Sequence, residues 1–217
     1  MQSQLNAQIS AHVNNLVTNM KKIIQSEKLR YGIALALAVI GVVFLLLCQP
    51  SPPKVVNTYL YGVVDEVTVQ PLLEALNNAT EDETVVIHME SPGGSVLAGY
   101  WVIDAIKETK AAVVEVKVDG YAASMAAVIT MYADKIVLDD NAVILFHTYS
   151  VDGVKLAPSQ DKMMQLMYQQ SKAELESCCS KVLTESDLFN IIYDQQDLVF
   201  SGKEIMERLE AWYKSHK

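Results

Sequence analysis

Residues 84–96, TVVIHMESPGGSV, carry an apolar run into a proline and two glycines, and from there into a second apolar pattern. Thr84–Glu90 reads as a buried strand and Val96–Lys110 as a helix. Between them Pro92-Gly93-Gly94 makes a tight turn and lets backbone come close to a ligand. N–H groups of such a turn, beside a helix N-terminus, can stabilise a negative oxygen. An ordinary strand-to-helix turn fits the same residues, so this segment alone leaves function open.

Outward from this unit, strand and helix patterns alternate. Val55–Val64 reads as a strand, Val67–Asn78 as a helix, Ala112–Val118 as a strand and Met125–Ala133 as a helix. Short strands at Lys135–Leu138 and Ala142–His147 follow, then a long helix at Ser159–Val182 and two further helical stretches. Ser201-Gly202-Lys203-Glu204, a capping box, opens the last of these. The alternation predicts an α/β domain with a largely parallel sheet, beginning near Val55.

A second small-residue segment, Gly120-Tyr121-Ala122-Ala123-Ser124-Met125-Ala126-Ala127, also follows a strand and opens a helix. Its small residues leave one serine exposed at the helix start without crowding. It is not a G-x-S-x-G elbow, because Ala122 and Ala126 stand at the glycine positions. Taken alone, Ser124 reads as an N-cap in a tight turn.

The SPGGS segment, G-x-AASM about thirty residues later, and a histidine closing a strand in ILFHTY together resemble the Clp protease proteolytic subunit family. The resemblance runs from about Asn57 to Glu207. It implies an α/β fold of the Clp/crotonase kind, with repeated ββα units and a long handle-type helix, here preceded by one transmembrane helix. It also implies a serine endopeptidase that needs no cofactor or metal, cuts peptides or unfolded proteins and assembles into a homo-oligomeric ring. Residue by residue, Ser124 matches the nucleophile, His147 the general base and Asp197, in DQQDLVFSGKE, the carboxylate that holds the histidine. The N–H groups of Gly94 and Met125 match the oxyanion hole.

The chemistry accounts for those residue types. A serine hydroxyl is a poor nucleophile until an imidazole accepts its proton, and a carboxylate fixes the imidazole's tautomer and stabilises the imidazolium. The sequence departs from the family pattern in three places. A linker and an apolar helix replace the axial loops where an unfoldase ATPase docks. Gln195-Gln196 stands where an Asp-Arg pair often joins two rings, and the chain ends in EAWYKSHK in place of a glycine and a strand. Two other readings stay open. One is a Ser-Lys dyad similar to signal peptide peptidase A, with Lys162 or Lys172 as base; the other is an inactive assembly protein on the same fold. His88 in His-Met-Glu faintly echoes a zinc-deaminase motif, but no P-C-x-x-C follows. Cys178 and Cys179 are adjacent, so no disulfide framework is visible.

Residues 1–30 place Leu5, Ile9, Val13, Leu16, Met20 and Ile23 at helical spacing on one face. Residues 33–48 contain no polar or charged side chain, and with Tyr31 and Gly32 they are just long enough to span a bilayer core about 30 Å thick. We therefore divide the chain into an amphipathic helix (1–30), a transmembrane helix (31–48), a Pro-rich linker (49–54) and a serine peptidase domain (55–217). Residues 1–54 carry five basic residues against Glu27, a net of +4, and the remainder carries 12 basic and 25 acidic residues, a net of −13. So acidic a domain excludes nucleic acid as a partner. The basic cluster Lys21, Lys22, Lys28 and Arg30 places the N-terminus in the cytoplasm and the domain on the far side of the membrane. A cysteine introduced on the domain surface should therefore react with a membrane-impermeant maleimide in intact cells. Reaction only after lysis would place the domain in the cytoplasm, within reach of an ATP-driven unfoldase.

Overall fold

The structure is a computed structural model that describes residues 2–25, 27–47, 54–151, 154–155 and 162–216. The chain falls into two compact units, residues 1–52 and 53–217. The first holds two helices, α1 (Gln2–Gln25) and α2 (Glu27–Leu47). Residue 26, between them, lies outside the described residues, and Glu27–Arg30 belong to the same helix as the apolar run. Leu29–Leu47 is long and apolar enough to cross a membrane, and none of it is buried within the protein. Cys48 and most of the Pro-rich segment, residues 49–53, lie outside the described residues.

The second unit is built on a six-stranded sheet. Its strands are β1 (Lys54–Tyr61), β2 (Glu83–Ser91), β3 (Val113–Ala123), β4 (Lys135–Leu138), β5 (Val143–Phe146) and β8 (Leu198–Ser201). The order is β1-β2-β3-β5-β8, with β4 also paired to β3. All pairings are parallel except β5 with β8. At 11 residues β3 is long enough to serve two partners in turn: Glu115–Val118 pair with β4, and Tyr121–Ala123 with β5. Between β5 and β8 lie two-residue strands, β6 (Ser150–Val151) and β7 (Val154–Lys155), paired antiparallel to each other.

Side chains alternate across these strands with period two. Leu60, Val85, Ile87, Met89, Val116 and Val118 are buried without solvent contact. The opposite face carries Tyr59, Tyr61, His88, Glu90, Lys117 and Asp119, which are half-buried or exposed. There His88 Nδ1 lies 3.1 Å from Asp119 Oδ2, and the ring stacks on Tyr59. Burial pushes the Asp119 carboxyl up, but hydrogen bonds from Lys117, Tyr61 and His88 outweigh it and hold the group below the usual range.

Six helices complete the unit: α3 (Gln70–Asn78), α4 (Val96–Glu108), α5 (Met125–Met131), α6 (Lys162–Cys178), α7 (Glu185–Ile192) and α8 (Gly202–Ser215). Every residue of α5 is buried, so the helix that Ser124 opens runs through the core. The long helix expected at Ser159–Val182 is observed over Lys162–Cys178 and closes in a 3-10 turn at Cys179–Lys181, while residues 159–161 are not described. Cys178 and Cys179 are free and buried.

A capping box opens α8, with the Ser201 hydroxyl accepting from Glu204 N–H, and another opens α7 between Thr184 and Asp187. The Asp187 carboxylate also accepts from Arg208 Nη1 at 2.6 Å, and the same guanidinium nitrogen reaches Val182 O at 2.8 Å. Burial pushes the Asp187 carboxyl up, but donation from Thr184 and Arg208 prevails and lowers it. Stability from a lowered carboxyl is fully present above the unfolded value of about 3.9 and is lost as pH falls through the folded value. Replacing Asp187 by Asn should thus cost about 1–2 kcal/mol at pH 7, read from denaturant midpoints. The gap from wild type should close below pH about 4.

Candidate active site

The C-terminal ends of parallel strands are where open α/β sheets place ligands, and the two glycine-containing segments meet there. Ser91 of β2 pairs with Ala122 of β3 after a register shift at Met89, so the turn after β2 folds over the tip of β3. Ser91 is fully buried and its hydroxyl accepts from Gly93 N–H at 3.1 Å. Gly93 has φ +84, and a Cβ there would stand 2.6 Å from Ala123 O and 2.7 Å from Ser124 Cβ. Position 93 must therefore lack a side chain for Ser124 to sit where it does.

Ser124 itself has φ 55 and ψ −124, a region that residues other than glycine rarely adopt. Holding a serine there costs on the order of 1–3 kcal/mol. Two features hold it. Its N–H donates to Leu145 O of β5 at 2.9 Å, and its carbonyl accepts from Val128 N–H at 3.1 Å. Although Ser124 stands at the N-cap position of α5, its hydroxyl makes no capping hydrogen bond. The capping reading of this serine is therefore not what the side chain does. The residue is half-buried, and among the described residues its hydroxyl makes no hydrogen bond.

Two N–H groups lie next to it. Gly94 forms an isolated parallel bridge with Val64, but that bridge uses Gly93 O and Ser95 N–H. The N–H of Gly94 between them donates to no acceptor among the described residues. Met125 is the first residue of α5, where a helix offers its N–H no internal acceptor.

His147 follows β5 directly. In the antiparallel register of β5 with β8, Val143 faces Ser201 and Phe146 faces Leu198, where the pairing ends; His147 and Asp197 are the next residue on each chain segment. Ser124, His147 and Asp197 thus each stand one residue beyond a strand, on three strands that neighbour one another. Among the described residues, however, no hydrogen bond joins Ser124 to His147 or His147 to Asp197. His147 Nδ1 instead bonds the Thr148 carbonyl. Because a carbonyl can only accept, this bond in a neutral imidazole needs the proton on Nδ1, which leaves Nε2 as the acceptor. The Asp197 carboxylate is taken by Lys155, whose Nζ lies 2.7 Å from Oδ1 and 2.6 Å from Gln195 O.

The segment after His147 is anchored from inside. Tyr149 N–H donates to Ser171 Oγ of α6 at 3.1 Å. The Tyr149 hydroxyl lies 3.4 Å from that of Tyr100, which donates to Glu174 Oε2 at 3.2 Å, and Tyr132 donates to the other oxygen of the same carboxylate. Burial pushes all three tyrosine hydroxyls above the ordinary range, so they stay protonated as donors. Neither Lys155 nor this tyrosine–glutamate network stands out in the sequence, since only the fold brings these residues beside His147 and Asp197.

The two lysines considered as alternative bases are placed differently. Lys172 donates to Tyr193 OH at 2.8 Å and pairs with Glu176. The Tyr193 hydroxyl raises the Lys172 ammonium above the usual lysine range, the wrong direction for a general base. Lys162 is the first residue of α6 and is exposed.

A parallel α/β domain with a strained serine at a strand-to-helix junction, packed against a glycine turn, fits a hydrolase of the acyl-transfer class. The Clp protease family profile matches residues 57–186, well over half of the chain, and the chain belongs to that family. The uncharacterized protein MJ0137 of Methanocaldococcus jannaschii is 36% identical over 75 residues, which are 35% of this chain and 26% of that protein. The chain thus spans about a quarter of the length of that relative.

The Gly93 geometry yields a direct test. Gly93→Ala combines backbone strain with a clash against the backbone at Ala123, whereas Gly62→Ala, at φ +92 with nothing within 4 Å, carries strain alone. Both should lower the unfolding free energy of the full chain, read from denaturant midpoints, Gly93→Ala by at least about 1 kcal/mol more. Equal losses would contradict the close packing.

Proposed function

We propose that the protein is a membrane-anchored serine endopeptidase that works through Ser124, His147 and Asp197 and an acyl-enzyme. The observation that carries this reading is the Ser124 hydroxyl, held in a costly backbone conformation and spent on no structural bond. Membership of the Clp protease family supports a peptidase of that kind.

In the proposed reaction Ser124 Oγ attacks the scissile carbonyl carbon while its proton passes to His147 Nε2. The Gly94 and Met125 N–H groups receive the oxyanion, a contribution worth a few kcal/mol where donors are pre-placed. Collapse of the tetrahedral intermediate breaks the C–N bond, and His147 returns the proton to the leaving amine. Water then attacks the acyl-enzyme with His147 again as base. Asp197 orients His147 and stabilises the imidazolium. The Ser-Lys alternative is disfavoured for Lys172 by the raised ammonium described above.

Family members usually form oligomeric rings. A homo-oligomer of this chain is supported by the uncovered sheet face with exposed Tyr59, Tyr61 and Tyr121, since parallel sheets are ordinarily covered on both faces. The apolar α2 would anchor the protein, with the N-terminus cytoplasmic as the basic cluster directs. A peptidase domain on the far side has little ATP at hand, so its substrates would be peptides or already unfolded segments rather than chains fed by an unfoldase.

A fluorophosphonate probe should label the full chain and leave Ser124→Ala unlabelled. His147→Ala should slow labelling by at least about a hundredfold, and Lys162→Ala should leave it unchanged. Equal labelling of wild type and Ser124→Ala would end the peptidase reading.

A further inference from the structure

We infer that Lys155 is a built-in restraint on this site: it competes with His147 for Asp197 and holds the protein in a slow resting state. The inference rests on the peptidase reading for its consequence, but its geometry stands by itself. Asp197 and His147 are each one residue beyond the Phe146–Leu198 pair, at the same end of the sheet. The Asp197 carboxylate is bonded to Lys155 Nζ at 2.7 Å.

Three observations make this more than a surface ion pair. First, Lys155 is held at two points, because the ammonium also donates to Gln195 O at 2.6 Å. Second, Gln195 has φ 54, one of two non-glycine residues with positive φ among the described residues; the other is Ser124. A glutamine is strained there, and its carbonyl is the one that receives Lys155. Third, His147 Nδ1 has a substitute acceptor, the neutral Thr148 carbonyl.

The substitute explains why the resting state is slow rather than dead. A carbonyl on Nδ1 keeps the proton there and leaves Nε2 to accept from Ser124. What it does not supply is the charge that stabilises an imidazolium, and hydrogen bonds to charged groups are roughly twice as strong as neutral ones. Moving Asp197 from Lys155 to His147 restores that charge. No bond is made or broken covalently; a carboxylate exchanges one cationic partner for another that becomes cationic only during the reaction. Lys155 is therefore a positioning residue acting through Asp197.

The test uses the full chain in detergent, with Lys155→Met, a second uncharged variant Lys155→Gln, and Lys155→Arg. Both uncharged variants should label at Ser124 about tenfold faster than wild type, and Lys155→Arg should stay slow because it keeps the charge. Adding Asp197→Asn to Lys155→Met should cancel the gain. A second readout does not depend on activity. The N–H proton of a histidine bonded to a carboxylate resonates far downfield in proton NMR, and this signal should appear in Lys155→Met, vanish with Asp197→Asn and be lost in His147→Ala. Uncharged variants that label no faster than wild type, with no new resonance, would overturn the restraint. A new resonance with no labelling of any variant would leave the restraint standing and remove the peptidase reading instead.

Discussion

At the tip of β3, backbone meets backbone with no room for a side chain between. A Cβ on Gly93 would fall 2.7 Å from that of Ser124, and the serine backbone beneath it is bent into a region closed to most residues. Neither strain could persist unless its surroundings fixed it. They do so from three sides: the Ser124 N–H on Leu145 O, the fully buried α5 behind it, and the Ser91 hydroxyl holding the glycine turn from below. Two segments some thirty residues apart in the chain are therefore one object in space.

The two flanks of His147 are fixed by forces of different strength. On the inner flank, Tyr149 is tied to Ser171 and, through Tyr100, to Glu174. These groups are largely buried, and removing one partner from such a network leaves an unsatisfied polar group that costs about 1–3 kcal/mol. On the outer flank, Lys155 and Asp197 have side chains 31% and 51% exposed. An ion pair that open is worth roughly 0–1 kcal/mol by itself; the second bond from Lys155 to Gln195 O adds to it, yet the carboxylate can still change partner at modest cost. The histidine segment is thus held firmly by one flank, while the carboxylate on the other remains free to change partner.

This asymmetry also separates what was legible in the sequence from what was not. The glycine turn, the free serine and the capping box at Ser201 are local patterns, and local chemistry dictates them. The central strands were legible for the same reason, with ends displaced by a few residues. The strand β8 was not read, because four residues, Leu198–Ser201, become a strand only by pairing with β5. That pairing sets Asp197 at the same end of the sheet as His147, so the placement of this residue of the proposed triad depended on the element that sequence hid. The β2 strand read as wholly buried, yet Val86, His88 and Glu90 form a half-open face, since an apolar run does not say which face is covered. Lys155 was invisible because its partner is 42 residues away.

The turn before Asp197 explains why a lysine from elsewhere can occupy its carboxylate. Here residues 195 and 196 are both glutamine, and the turn is held through its backbone: Gln196 N–H donates to Asn190 O at 3.0 Å and Gln195 offers its carbonyl outward. With no cation on the turn itself, Asp197 and the carbonyl of Gln195 form a pair of acceptors that only an incoming cation can satisfy together. Lys155 does so from the β6–β7 hairpin, which begins three residues after His147. The same hairpin therefore connects the histidine to its competitor, and any movement of that short connection acts on both at once.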